Sequence, residues 1–322
     1  MSRLKKFLLH SLIITLLGIF YQIPFCFHEA YSQESTLEYV KQIGVKGVEK
    51  GQFINPHSLA TDKFGNIFVG DTGNKRVQKF SPNGTFMLSW GSEGNKSGQF
   101  MGLHDVAVDP EGKFVFTVEL KNHRVQKFST DGSFITKWEY NGTGGRDVNR
   151  APHQIAVNSL GIVYLTDSNG NQLLKYHDNG TFIGTIGSAG VGPGKFSTPH
   201  GIAFDPSNNM YVTDMKNYRI QVFDANDSFI REWKSAGMGP DKFSETVPGI
   251  ALDAEGQVYI VDKINSRVQM FDNTGNHLSS WGTDGKGQQQ LHKPEDISVS
   301  KDGTIYVTDT RNSRIQVLQI MK

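Results

Sequence analysis

The chain holds one cysteine, Cys26, in 322 residues. A disulfide framework needs cysteines in pairs, and a zinc finger or RING module needs clusters of them, so both are excluded. Thiol chemistry is confined to one position near the amino terminus. Surplus charge is scarce as well: 33 Lys and Arg stand against 32 Asp and Glu, a formal net charge of +1. That balance gives no electrostatic reason to expect a nucleic acid or another phosphate-rich partner. Long apolar runs are missing beyond residue 27, which leaves no other stretch long enough for a membrane helix. Helical periodicity is missing too. The apolar stretches are short and alternate with period two, which is the pattern of strands.

The one long apolar run lies at the start. Met1 to Lys6 (MSRLKK) is basic, residues 7–27 are largely apolar, and small residues follow at Ala30 and Ser32. This is the outline of a secretory signal peptide cleaved near Gln33. The same run is long enough to stay as an uncleaved membrane anchor. The bulky Phe25 before Cys26 argues against a lipoprotein box. The expected organisation is therefore a signal peptide or anchor over 1–33 and one folded domain over 34–322, in an extracytoplasmic protein, with membrane contact only through residues 7–27. Loss of the leader would remove the only cysteine and leave a formal charge of −1. Such a domain has to stand on its apolar core alone. Asn83, Asn95, Asn141, Asn179 and Asn226 are sequons and hence N-glycosylation candidates. PNGTF and DNGTF, around Asn83 and Asn179, read equally as Asn-Gly hairpin turns with positive φ at both central residues.

What the chain has in abundance is repetition. Asp71, Glu119, Asp167, Asp214, Asp262 and Asp309 recur at intervals of 48, 48, 47, 48 and 47 residues. Arg76, Arg124, Gln172, Arg219, Arg267 and Arg314 each follow by five residues, and Trp90, Trp138, Ile186, Trp233 and Trp281 share a third phase. Each unit reads as four short strands punctuated by Gly, Asn, Asp and Pro. Four antiparallel strands repeated radially make a propeller blade, so the fold class is all-β and the architecture a six-bladed β-propeller. The last unit has only three strands and would leave an open edge. Leu37 to Gly44, with Ile43 in the tryptophan phase, supplies the missing fourth strand, so the N-terminal strand is expected to complete the sixth blade.

The strings PHGIAFD, NMYVTD and NYRIQVF resemble NHL repeats, and the resemblance covers about residues 37 to 322. It implies a six-bladed propeller scaffold, on which many unrelated functions are carried. Gly-His and Trp-Asp pairs of the WD40 kind and the kelch double glycine are absent.

Repeated residues and singular ones invite different readings. The Asp, the Asn three residues on and the Arg five residues on bracket the turn between second and third strands in almost every unit, as a hairpin clamp would. The tryptophans fit the wedge between blades; as stacking platforms for bases they lack a basic surround. The start of each first strand departs from this regularity: it reads His57, His104, His153, His200, Pro248 and Glu295. First strands are innermost in a propeller, so these residues should ring one mouth of the central channel. Four of the ten histidines share that address. Neutral imidazole is a common transition-metal ligand, and alternate blades would bring His104, His200 and Glu295 together as two imidazoles and a carboxylate for zinc or another divalent metal. Equally, the ring can be a polar channel lining bonded to neighbouring blades or to water.

Two functions from different classes follow. One is an exported, monomeric binding or interaction module that presents its face to a protein, peptide or glycan ligand. The other rests on resemblance: peptidyl-hydroxyglycine amidating lyases are propellers of this type that hold zinc with channel-mouth histidines, in strings similar to PHSLA, PHQIA and PHGIA here. That resemblance implies a zinc-dependent lyase, with Glu295 a departure from a full histidine set and the remaining catalytic groups not located. Other NHL proteins are the RNA-binding or substrate-binding part of translational repressors and ubiquitin ligases. A ligase would need cysteines this chain lacks.

Overall fold

The computed structural model describes residues 36–140, 152–234, 237, 239 and 241–321. The expected leader or anchor, Cys26 and the sequon at Asn141 lie outside these residues. Among the described residues no helix is long and apolar enough to cross a membrane. Residues Glu34–Lys322 form one compact unit.

Six antiparallel four-stranded sheets follow one another. Blade one comprises Ser58–Thr61, Ile67–Asp71, Arg76–Phe80 and Phe86–Trp90, and blade two Leu103–Val108, Phe114–Glu119, Arg124–Ser129 and Phe134–Glu139. Blade three comprises Pro152–Val157, Val163–Asp167, Gln172–Tyr176 and Phe182–Ile186; blade four comprises Pro199–Phe204, Met210–Asp214, Arg219–Phe223 and Phe229–Lys234. Blade five is Ile250–Leu252, Val258–Asp262, Arg267–Phe271 and His277–Trp281. Blade six takes Ile297–Val299, Ile305–Asp309 and Arg314–Met321 from the end of the chain and Thr36–Ile43 from its beginning. The last two pair antiparallel from Thr36 opposite Met321 to Ile43 opposite Ile315, which covers the otherwise open edge. The expected six blades and the two-ended sixth blade are both present.

Cohesion comes from apolar layers between neighbouring sheets. The layer between blades two and three, for example, joins Phe116, Val118 and Val125 to Ile155, Leu165 and Tyr176. The tryptophans fill this seam: Trp90 lies 5.8 Å from Phe128 of blade two, and Trp138 lies 6.2 Å from Tyr176 of blade three, ring centre to ring centre. Their partners include a feature the sequence did not announce. In three blades the glycine of the outer hairpin turn lies against the tryptophan of the preceding blade. A Cβ on Gly132 would come within 2.9 Å of Trp90, on Gly180 within 2.7 Å of Trp138, and on Gly275 within 2.5 Å of Trp233. Blade three has Ile186 in the tryptophan place, and the matching turn residue of blade four is Asp227, at φ +65°. That seam keeps an apolar layer that includes Tyr164, Leu173, Phe196, Ile202 and Val212. Across it Lys175 Nζ pairs with the Asp227 carboxylate at 2.5 Å, as Lys127 Nζ does with Asp178 at 2.7 Å across the Trp138 seam.

These turns differ from the expected type in one respect. Gly84 and Gly180 have positive φ, but neither Asn83 nor Asn179 does. Each hairpin closes with a turn bond, Gly84 N–H to Ser81 O at 2.8 Å, followed by a register shift at Lys79/Phe80. This is a type I turn with a glycine bulge rather than a type I′ turn. Pro82 explains the choice in blade one, because its ring fixes a negative φ where a type I′ turn needs a positive one.

The clamp is present and larger than expected. In blade one the buried Asp71 carboxylate accepts from Arg76 Nε at 2.9 Å, Asn74 Nδ2 at 2.7 Å, Gln78 Nε2 at 3.0 Å and the Ile54 amide at 2.8 Å. Arg76 also donates to the Glu49 and Gln52 carbonyls. The trio therefore ties its hairpin to the loop that enters the same blade, and the glutamine seven residues after the acid belongs to it. Blade three keeps a reduced form, with Gln172 Nε2 at 3.2 Å and the Gly170 amide at 3.0 Å from Asp167.

The Trp–Gly seam is testable. Gly180→Ala places a methyl on Trp138 and puts alanine at φ +90°, so a loss of about 2 kcal/mol is expected in thermal or denaturant unfolding. In a Trp138→Ala background the same change should cost about half as much, since only the backbone term remains. Equal costs in both backgrounds would remove the seam explanation.

Candidate functional site

The ring residues stand at the inner edges of the blades, where the first strands begin. The structure gathers His57, His104, His153 and His200 into one cluster. Ring centres are 4.1 Å apart for His57 and His104, 4.8 Å for His104 and His153, and 4.3 Å for His153 and His200. His104 and His200 are 6.2 Å apart.

Hydrogen bonds from blade to blade set the imidazole orientation. His57 Nδ1 donates to the His104 carbonyl at 2.9 Å, His104 Nδ1 to the His153 carbonyl at 2.8 Å, and His200 Nδ1 to the Pro248 carbonyl at 3.0 Å. A carbonyl can only accept, so in these three rings the proton sits on Nδ1 and the lone pair on Nε2. His153 breaks the series: the His200 carbonyl, which would be its acceptor, takes the Thr166 hydroxyl at 2.7 Å, and His153 Nδ1 is buried without a partner.

All four imidazoles are held neutral. Burial is the main cause in each, and it lowers His104 and His200 well below the usual histidine range and His153 to about 4. His57 keeps 23% of its side-chain surface, yet the narrow mouth surrounds it with protein and lowers it too, against the opposing pull of Glu295. Neighbouring imidazoles and the Lys263 ammonium add to the effect.

The fifth and sixth blades break the ring. Pro248 offers only its carbonyl. The Glu295 carboxylate pairs with the Lys263 ammonium through Oε1, and its Oε2 lies 3.9 Å from His57 Nε2. Fixed Nδ1–H tautomers with free Nε2 lone pairs suit a transition metal in their chemistry. The arrangement does not gather the expected set: Glu295 is directed at Lys263 and His57 rather than at His104 and His200. Among the described residues no group of three or more His, Cys, Asp or Glu stands ready to hold a metal ion.

Directly beneath lies a layer that the sequence reading missed, one residue further along the same strands. Asp296 Oδ2 accepts the Leu59 amide at 2.9 Å, Asp105 Oδ2 accepts the Ile155 amide at 2.8 Å, and Gln154 Oε1 accepts the Ile202 amide at 2.9 Å. Each side chain thus satisfies an inner-edge N–H of the following blade. Gln154 Nε2 also donates to Asp296 Oδ1 at 2.8 Å, which bridges blades three and six across the axis. The bridge separates the mouth from a lower cavity of about 240 Å3 lined by all six first strands. Burial raises both carboxyls, Asp296 to about 7, and Asp105 is pushed up further by Asp296. HDVAV and EDISV carried the available signal: a carboxylate where the other strands place Ser, Gln or Gly.

The two layers respond oppositely to pH. His153 titrates near 6.5 when unfolded and near 4 when folded, so its contribution is full above pH 6.5 and is lost as pH falls toward 4. Asp296, ordinarily at 3.8 and here near 7, contributes fully below pH 3.8 and loses that contribution as pH rises toward 7. Melting curves from pH 4 to 8 should show the acid-side fall of His153→Gln reduced by on the order of 2 kcal/mol, and the decline toward neutrality reduced in Asp296→Asn. Profiles parallel to the parent in both variants would contradict the burial argument.

Comparison with known proteins agrees with this architecture. NHL repeats match at residues 53–80 and 291–318, and a family described as a 6-bladed beta-propeller matches residues 149–237. Peptidyl-glycine alpha-amidating monooxygenase A of Xenopus laevis is 30% identical over 115 residues, which is 33% of this chain and 12% of that protein. Protein brain tumor of Drosophila melanogaster is 36% identical over 67 residues, 21% of this chain and 6% of that protein. The chain therefore spans a small part of the curated relatives it matches. Among solved structures, a streptogramin B lyase superposes with a TM-score of 0.58 at 11% identity, covering 89% of this chain and 98% of that one. The gluconolactonase XC5397 of Xanthomonas campestris gives 0.61 at 13% identity, covering 89% and 97%. At such identities the likeness is one of fold.

Proposed function

We propose that this propeller carrying NHL repeats is an exported binding module whose ligand, a protein, peptide or glycan segment, seats on the face around the imidazole ring. NHL propellers often serve as interaction modules, and a protein–ligand contact is the use this scaffold favours. One observation carries the choice of face. The acid clamps and tryptophan seams recur from blade to blade, as scaffold does, whereas the neutral ring is a singular set of uncharged donors and acceptors that the Gln154–Asp296 bridge closes from below. A cluster of neutral, strongly perturbed imidazoles that the repeat does not reproduce is where a ligand site is first sought.

Peptide and glycan arrays test the reading. Binding should fall at least tenfold in the His104→Asn/His200→Asn variant, whose amides still reach the blade carbonyls, and should hold in Lys63→Ala/Lys301→Ala on the opposite face. Loss in the second variant, or no binder on either array, would end the proposal.

A second reading, a zinc-dependent lyase of the amidating kind, draws on the fixed Nε2 lone pairs and on the likeness to the amidating monooxygenase. It requires Glu295 to leave Lys263 and join His104 and His200. If it holds, protein expressed with ample metal will retain close to one equivalent of zinc after dialysis, as read by elemental analysis, and His104→Ala/His200→Ala will lose it. Retention below about one-tenth equivalent closes this reading.

A further inference from the structure

Two departures from the repeat, Lys263 and Glu295, meet at one seam. Blades one, three and six place a hydroxyl directly after the clamp acid, and each clasps the residue just before the next blade's ring position: Thr72 to the Leu103 carbonyl, Ser168 to the Pro199 carbonyl and Thr310 to the Pro56 carbonyl. Blade five has Lys263 at that place. Its ammonium turns inward to Glu295, itself the carboxylate in a ring of imidazoles. The seam between blades five and six therefore lacks the hydroxyl clasp, as do the seams after blades two and four, where Leu120 and Met215 stand; it differs from those two in carrying an ammonium there. It opens into a pocket of about 480 Å3 on the mouth face, beside the ring.

The walls of that pocket carry three fixed cations, Lys263, Lys293 and Arg311, against one carboxylate, Glu295. Lys263 is the cation that Glu295 neutralises. Lys293 and Arg311 are exposed, and among the described residues neither has an ion-pair partner. The nearby acid, Asp284, is engaged by His292 at 2.9 Å and by Ser266 at 3.2 Å. Lys293 also holds a backbone position that disfavours it. The equivalent entry-loop residues of blades one, two and four, Asn55, Gly102 and Thr198, are left-handed, and Lys293 follows them at φ +51°. A lysine there carries a backbone cost of about 1 kcal/mol that glycine avoids.

We infer that this pocket receives a carboxylate of the ligand, with Arg311 and Lys293 as its anchors and the imidazole ring beneath the rest of the molecule. The guanidinium fork matches a planar carboxylate in a way that a lone ammonium does not, while Lys293 adds a point charge from the facing loop. The inference rests on the mouth as the binding face and adds the charge and the contact point of what binds.

Succinate and its uncharged diamide are the probes, followed by amide and imidazole NMR shifts of the full chain at low salt, with inorganic phosphate as a competing anion. Succinate should shift resonances at the mouth with a Kd on the order of millimolar, the diamide should not, and Lys293→Met/Arg311→Met should weaken succinate at least tenfold at unchanged Tm. Lys121→Met/Lys216→Met, which removes two exposed cations of other seams on the same face, should leave it unaltered; should the double pocket variant unfold, either single change supplies the comparison. Equal shifts by succinate and diamide, equal loss in the two double variants, no shift at all, or tighter binding of phosphate than of succinate would each overturn the carboxylate assignment. A ligand from the arrays that needs His104 and His200 but ignores Lys293 and Arg311 would overturn it too, while leaving the binding face intact.

Discussion

Closure of the ring is the constraint on which everything else depends. A propeller whose last sheet had three strands would leave a ladder of unpaired N–H and C=O groups at its edge, and nothing would bring the sixth first strand against the first. Pairing Thr36–Ile43 with Arg314–Met321 removes that edge. It also brings Asp296 to the Leu59 amide and Thr310 to the Pro56 carbonyl, contacts between residues more than two hundred positions apart. Without closure the histidines would stand at the ends of separate sheets. With it, four imidazoles share one opening and desolvate one another.

The interior shows how a closed ring handles its innermost strands. An edge strand facing a channel has donors that no neighbouring strand can satisfy. Here side chains take their place: Asp105, Gln154 and Asp296 each accept an amide from the next blade, and His57, His104 and His200 donate to the next blade's carbonyl. Two carboxyls brought close together in a dry place cannot both stay charged cheaply, so the layer keeps protons that free aspartates would lose. The polar lining is thus part of the structure of the ring, and the same bonds that hold the blades together fix the imidazole tautomers.

The architecture was legible because it is written six times. Three markers in phase gave the blade count, and the phase of Ile43 gave the closing strand. The ring address of His57, His104, His153, His200 and Glu295 followed from the first strand being innermost. Alternation around the ring did not survive as a rule for partnership, because imidazoles bond to adjacent blades and Glu295 is drawn to Lys263, whose reach a repeat alignment does not display. The Asp105–Gln154–Asp296 layer escaped notice for a related reason: its residues differ from blade to blade, and only the closed ring brings blades three and six within bonding distance. The glycines against Trp90, Trp138 and Trp233 were visible as turn residues, but their second role, presenting a flat surface to the preceding blade, depends on a seam that exists only in three dimensions.

One consequence follows from the amide–carboxylate bond that spans the axis beneath the imidazoles. A propeller is often pictured as a tube, open from end to end. With Gln154 tied to Asp296 a hydrogen bond crosses the passage partway, between the imidazole mouth and the cavity lined by the first strands. Traffic along the axis would have to skirt or break that bond.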